Sequence, residues 1–188
     1  MISGKTALIA HLGYPTESFK APMIYNPWFE KQGIDAVVVP MGVKPDDYTA
    51  TLATLSRLTN LRGALVTMPH KVTTLSLADE ITPTARIAGA CNALLLRPDG
   101  TWLGDQFDGS GFVRGILRKG RTLRGARVIV SGAGGVGSAI AASLAAEGVA
   151  HISLYDTYAA SAEGLAERLR THYPKLVVQT GSNDPAGF

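Results

Sequence analysis

Gly132-Ala133-Gly134-Gly135-Val136-Gly137 is the stretch whose residue types and spacing most directly suggest chemistry. It fits G-x-G-x-x-G, the pattern of a turn that cradles a dinucleotide pyrophosphate. Gly132 permits the tight turn, Gly134 lets the backbone approach a phosphate, and Gly137 lets helix and strand pack closely. Ala133, Gly135 and Val136 complete the cradle, and the following helix offers free N–H groups and the positive end of its dipole. The same pattern also fits a strand-to-helix turn that binds nothing.

The flanking elements are the ones such a turn needs. Arg127-Val128-Ile129-Val130 reads as a strand, and Ser138 to Glu147 as a helix that Gly148 can end. His151-Ile152-Ser153-Leu154-Tyr155 is a second strand, and it delivers Asp156. Asp156 stands about 20 residues past the turn, where an acid hydrogen-bonds the ribose 2′-hydroxyl of NAD. A 2′-phosphate there would meet like charge, and Thr157-Tyr158-Ala159-Ala160 bring no arginine to hold one. NAD is therefore favoured over NADP. Asp156 as a plain loop or capping residue is the alternative.

Bulk properties narrow the classes. The chain has 188 residues, 46% of them apolar and 18% charged, with a net charge of +3. That supports a sizeable core and argues against disorder. Arg114, Arg118, Lys119, Arg121, Arg124 and Arg127 form the densest basic stretch, but no aromatics interleave them, so a solvated surface is expected rather than a nucleic-acid contact. One cysteine, Cys91, excludes an internal disulfide and fits a reducing cytoplasm. Neither a membrane span, a signal peptide nor a metal site is expected.

The first hundred residues read as a separate α/β unit with a mostly parallel sheet. Strands are expected at Ala7 to Ala10, Ala36 to Val39 and Ala64 to Thr67, with a hairpin around Asp99-Gly100. Pro22 opens a helix carrying Met23, Ile24, Trp28 and Phe29, which Pro27 should kink or interrupt. Asp46 to Leu58 is expected to be an amphipathic helix, and Gly109 to Leu117 another. The end, Gly181 to Phe188, reads as a loop. Only three strands of a dinucleotide fold are visible, so the chain is expected to be part of a longer protein.

Three further segments are Val66-Thr67-Met68-Pro69-His70-Lys71, Gly89-Ala90-Cys91-Asn92-Ala93 and Gly104-Asp105-Gln106-Phe107-Asp108-Gly109-Ser110-Gly111-Phe112. With the glycine turn they resemble the shikimate dehydrogenases, over essentially the whole chain. The resemblance implies a substrate-binding catalytic domain over residues 1–106 and the first half of a Rossmann-type domain over 107–188. It implies an NAD(P)-dependent alcohol dehydrogenase of aromatic amino acid biosynthesis, acting on a small cyclic hydroxy acid. A homodimer stays open.

The resemblance also assigns roles. Lys71 and Asp108 match the catalytic pair. An ammonium at Lys71 can protonate a developing alkoxide, and Asp108 can orient it and share the proton. Thr67 and Asn92 match substrate-hydroxyl contacts. From residue type alone, a surface lysine, a helix-capping aspartate, a strand threonine and a turn asparagine serve as well. Cys91 reads as a small buried residue, and His70 is expected to point away from Lys71 if the segment is extended.

Departures from the family bear on the substrate. Phe19 and Ala21 occupy positions where two serines bind the substrate carboxylate, and neither side chain donates a hydrogen bond. Leu65 and Gln106 each replace an asparagine. The best substrate need not be shikimate; quinate or an analogue fits as well. A catalytically silent NAD-binding sensor and a dehydrogenase acting on a folate carrier are the competing readings.

Overall fold

The computed structural model describes residues 2–181, which fold as two units. The loop expected at the chain's end lies, beyond Gly181, outside the described residues. The first unit comprises residues 1–81 and 91–104, and the second 82–90 and 105–188.

The first unit is built on a six-stranded sheet. Its strands are β1 (Ala7–Gly13), β2 (Ala36–Gly42), β3 (Leu61–Val66), β4 (Glu80–Ile81), β5 (Ala93–Leu96) and β6 (Trp102–Asp105), in the order β2-β1-β3-β5-β6-β4. β1 runs parallel to β2 and β3, β4 runs parallel to β6, and β5 runs antiparallel to β3. The sheet is therefore more mixed than alternating strands and helices suggest. β5 and β6 flank the Asp99-Gly100 turn, where the Arg97 N–H donates to the Thr101 carbonyl at 2.9 Å. Ala10, Leu12, Leu52, Leu61, Ala64, Val66, Leu94 and Trp102 form the core.

Among the described residues, three α-helices belong to this unit: α1 (Ala21–Gln32), α2 (Tyr48–Leu55) and α3 (Lys71–Leu77). α1 opens with Pro22 in its first turn and runs on through Pro27, contrary to the expected interruption. The residue before that proline is pinned from outside: the Asn26 amide accepts from the Val38 N–H at 2.8 Å and donates to the Val38 carbonyl at 3.1 Å. These bonds satisfy the outer edge of β2 and anchor the helix where its own ladder lacks a donor. α2 is shorter than expected. A 3₁₀ turn, Pro45–Asp47, leads into it, and Leu58 lies beyond it, exposed.

The second unit carries α4 (Pro83–Ala88), α5 (Asp108–Arg118), β7 (Arg127–Ser131), α6 (Gly135–Ala146), β8 (His151–Tyr155), α7 (Ala159–His172) and β9 (Val177–Thr180). β7, β8 and β9 form a parallel sheet in that order. This is a βαβαβ arrangement of Rossmann type. Ile152, Leu154, Leu165, Ala166 and Leu169 are buried at its centre. Gly109 brings α5 directly onto α6, since a Cβ there would overlap the Ala139 carbonyl and the Ser143 hydroxyl. α4 has no periodic sequence signal, yet it is capped at both ends. Thr82 Oγ1 accepts from the Ala85 N–H at 3.2 Å, and the Arg168 guanidinium donates to the carbonyls of Ile87 and Ala88 at 3.0 and 3.4 Å. All six residues of the basic stretch are exposed. Among the described residues no helix is long and apolar enough to cross a membrane.

Candidate functional site

In the first unit, candidate residues gather where the parallel strands β1 and β3 end, the edge at which open α/β sheets bind ligands. Thr67 follows β3 directly and is half-buried; its N–H donates to the Leu12 carbonyl at 2.8 Å. The chain does not continue extended. The His70 N–H donates to the Thr67 carbonyl at 3.0 Å, and Lys71 becomes the first residue of α3. His70 is therefore not placed by strand alternation. It is buried, its Nε2 lies 2.8 Å from the Val43 carbonyl, and its ring stacks in parallel on that of Tyr48 with centroids 4.0 Å apart.

That stack belongs to a buried network below the first turn of α3. The Tyr48 hydroxyl is 2.7 Å from Thr74 Oγ1, which donates to the His70 carbonyl at 2.8 Å. Burial pushes the Tyr48 phenol up to about 12. Lys71 is itself only 9% exposed, where a surface lysine was the alternative. Its carbonyl accepts from the Cys91 N–H at 2.9 Å, and the Asn92 carbonyl accepts from the Val66 N–H at 2.8 Å. Lys71, Thr67 and Asn92 are thus tied by backbone bonds to neighbouring points of one sheet edge. Cys91 is fully buried, as a small apolar residue would be.

His11 and Phe19 also lie here. His11 is buried on β1, its imidazole held below its ordinary value first by burial and then by the nearby Lys71 ammonium. No sequence signal marked it, because a single histidine in an apolar strand has no pattern. Phe19 and Ala21 are both half-buried; Phe19 precedes α1, and Ala21 opens it.

In the second unit, Gln106 and Asp108 form the entry to α5. Thr82 Oγ1 donates to Asp105 Oδ1 at 2.6 Å, and the same oxygen accepts from the Gln106 N–H at 2.7 Å. Gln106 is buried, and its Oε1 accepts from the Asp108 N–H at 2.9 Å. Its Nε2 has no partner among the described residues. Asp108 is the first helical residue, and the Gln106 side-chain oxygen caps the helix by accepting from its N–H.

The glycine turn lies between β7 and α6. Gly132 has φ 101°, and its N–H donates to the Tyr155 carbonyl at 2.7 Å. Gly137 sits directly under the Gly132 carbonyl, with no room for a Cβ. Gly134 is exposed, and a Cβ built on it would meet open space, so the cradle is free on its outer side. Gly135 is the first residue of α6, Val136 is exposed, and the helix N-terminus has no side-chain cap. This geometry fits a pyrophosphate. Asp156 closes the turn from β8. One carboxylate oxygen accepts from the Ala133 N–H at 2.7 Å and the other from the Tyr158 N–H at 2.9 Å. The Ala133 bond, then the Tyr158 bond and contact with the Thr157 side chain, hold the carboxyl below its ordinary range. Asp156 therefore also bonds the loops beside it.

Comparison with known proteins finds matches in both units. Residues 12–94 match the family model of the shikimate dehydrogenase substrate binding domain. Over that span the chain is similar to the shikimate dehydrogenases. Residues 114–170 match the ThiF family. An NADP(+) shikimate dehydrogenase of Rubrobacter xylanophilus is 36% identical over 168 residues, which cover 89% of this chain and 59% of that relative. The structure of shikimate 5-dehydrogenase from Listeria monocytogenes, in complex with shikimate and NAD, superposes with a TM-score of 0.87 at 29% identity, covering 96% of this chain and 62% of that one. A ligand-free 5-ketofructose reductase of a Gluconobacter species gives a TM-score of 0.84 at 26% identity, covering 97% and 64%. The chain thus spans about three fifths of the length of these proteins.

Proposed function

We propose that the chain carries the substrate-binding part, residues 1–106, and the beginning of the nucleotide-binding part, 107–188, of an NAD(P)-dependent alcohol dehydrogenase. Its substrate class is a cyclic hydroxy acid such as shikimate, quinate or an analogue. The carrying observation is the buried Lys71, which opens α3 at the sheet edge that also presents Thr67 and Asn92. Burying an ammonium costs free energy, and a structural role would be met more cheaply by an apolar side chain.

Lys71 donates the proton to the developing alkoxide in the reductive direction and accepts it back on oxidation. Asp108 is its proposed partner in handling that proton, and Thr67, Asn92 and Gln106 bind substrate. The glycine turn and the N-terminus of α6 hold the pyrophosphate of the cofactor, which supplies hydride chemistry when bound. Asp156, with Thr157 beside it, is proposed to favour NAD, because its anion beside the turn repels a 2′-phosphate, whereas the relative from Rubrobacter xylanophilus is named for NADP(+). The protein is proposed to work in the cytoplasm, where its lone cysteine stays reduced. No observation favours a catalytically silent sensor.

The test is nicotinamide reduction by the full-length protein on a panel of cyclic hydroxy acids and polyols, with NAD and NADP compared. Lys71→Ala is expected to abolish turnover while leaving cofactor binding intact. Unchanged turnover in Lys71→Ala would refute its assigned role, and cofactor binding without turnover on any substrate would favour the sensor.

A further inference from the structure

The end of β1 holds a cluster that the proposed reaction leaves unused. His11 is 6% exposed, and its ring lies 4.2 Å from the ring of Phe19, tilted by 34°. Its Nδ1 has no hydrogen-bond partner among the described residues. The tip of the Phe19 ring and Cγ2 of Thr67 both close on Gly13, so near that a Cβ at that position would overlap each. Phe19, Thr67 and the glycine are therefore packed against one another, and His11 backs the phenyl ring. Thr67 is one of the proposed substrate contacts, so this packing borders the substrate's place.

Apart from the Thr67 hydroxyl, the side chains packed at that border carry no charge and no ionised donor. Burial and the neighbouring Lys71 ammonium both disfavour a charged His11. The ionic and hydroxyl side chains of the same loop, Glu17, Ser18 and Lys20, are exposed. A carboxylate brought here would surrender its water to a phenyl ring and a neutral imidazole, neither of which replaces the lost hydrogen bonds as ionised donors would. The Lys71 ammonium, whose charge His11 feels, is already used by the proposed proton transfer.

We infer that Phe19, backed by His11, is a specificity-determining residue that selects a substrate whose group at this end is uncharged: an ester, an alcohol, or the ring carbon of a polyol or keto sugar rather than a carboxylate. The inference rests on the dehydrogenase reading and replaces its cyclic hydroxy acid with an uncharged cyclic hydroxy compound.

Shikimate and its methyl ester share one ring and differ in charge at one end, so they isolate the effect. Binding of each to the full-length protein is measured by calorimetry, and turnover of each is followed alongside. The ester is expected to bind about tenfold more tightly or better, the size of one or two charge-assisted hydrogen bonds left unmade by the acid. The paired change Phe19→Ser with Ala21→Ser should lower or invert that ratio. Phe19→Leu, which keeps an apolar side chain, should preserve it and shows that the site still folds. Tighter binding of the acid, binding of neither compound, or a ratio unmoved by the serine pair overturns the inference. Failure of the dehydrogenase reading is seen separately, as turnover that survives Lys71→Ala; the binding ratio does not depend on it.

Discussion

Thr74→Val tests how the first turn of α3, and with it Lys71, is held. Thr74 is fully buried, donates from Oγ1 to the His70 carbonyl at 2.8 Å and lies 2.7 Å from the Tyr48 hydroxyl. A threonine hydroxyl has one hydrogen, which the carbonyl takes, so the phenol is the donor between the two. With its pKa pushed up to about 12 by burial, Tyr48 keeps that proton at ordinary pH. Valine matches threonine in shape but leaves the phenol, 1% exposed, without an acceptor. An unsatisfied buried hydroxyl costs about 1–3 kcal/mol. Tyr48→Phe removes the donor instead and leaves the Thr74 hydrogen still bonded, at a cost of about 1 kcal/mol or less. The double variant has no stranded phenol, so it should lose less than the sum of the two single losses, by about 1 kcal/mol. Urea unfolding of the full-length protein, read as midpoints at constant m, measures all three. A loss for Thr74→Val no larger than that for Tyr48→Phe, or strict additivity, would refute the assignment of donor and acceptor.

Other expectations follow from the same structure. His11 titrates below its ordinary 6.5, so below that pH the unfolded chain binds a proton that the native chain refuses. Stability should fall as pH drops from about 6.5 to the lowered native value and then level off; His11→Phe should flatten this slope in unfolding measured from about pH 7 to about pH 5, and an unaltered slope would contradict it. Gly109→Ala should cost about 1–3 kcal/mol by forcing α5 off α6, whereas Gly111→Ala on the same helix meets nothing within 4 Å and should be neutral or gain up to about 1 kcal/mol; equal thermal stabilities would count against the close approach. Arg168→Met keeps an apolar stem but removes the donors to Ile87 and Ala88, so amide exchange across residues 82–90 should accelerate, and unchanged exchange would show that the guanidinium does not hold that segment.

The glycine turn with its flanking strands was legible from sequence because every part of it is local. A tight turn, a helix start and a β-branched run each depend on residues next to one another, and β7, α6 and β8 appear within a few residues of their expected bounds. The hairpin around Asp99-Gly100 was legible for the same reason. Strand direction was less so: β5 pairs antiparallel with β3 across almost thirty residues of chain, a choice made by packing rather than by either segment. Pro27 argued for a broken helix, and the Asn26 clasp on β2, a contact between distant residues, kept the helix whole. α3 and α4 are too short to carry a periodic signal and owe their ends to Thr74, Thr82 and Arg168.

Of the candidate site, residue types and order came from the sequence alone: a lysine, a threonine and an asparagine in recognisable motifs, and an acid at the end of β8. Tertiary structure decided what surrounds them. It buried Lys71, brought His11 within reach of its charge, set the Phe19 ring at a tilt against that histidine, and turned the Asp156 carboxylate onto the Ala133 N–H. Backbone geometry follows from near neighbours, whereas burial and charge environment are sums over side chains brought together from far along the chain, and only the folded molecule performs that sum.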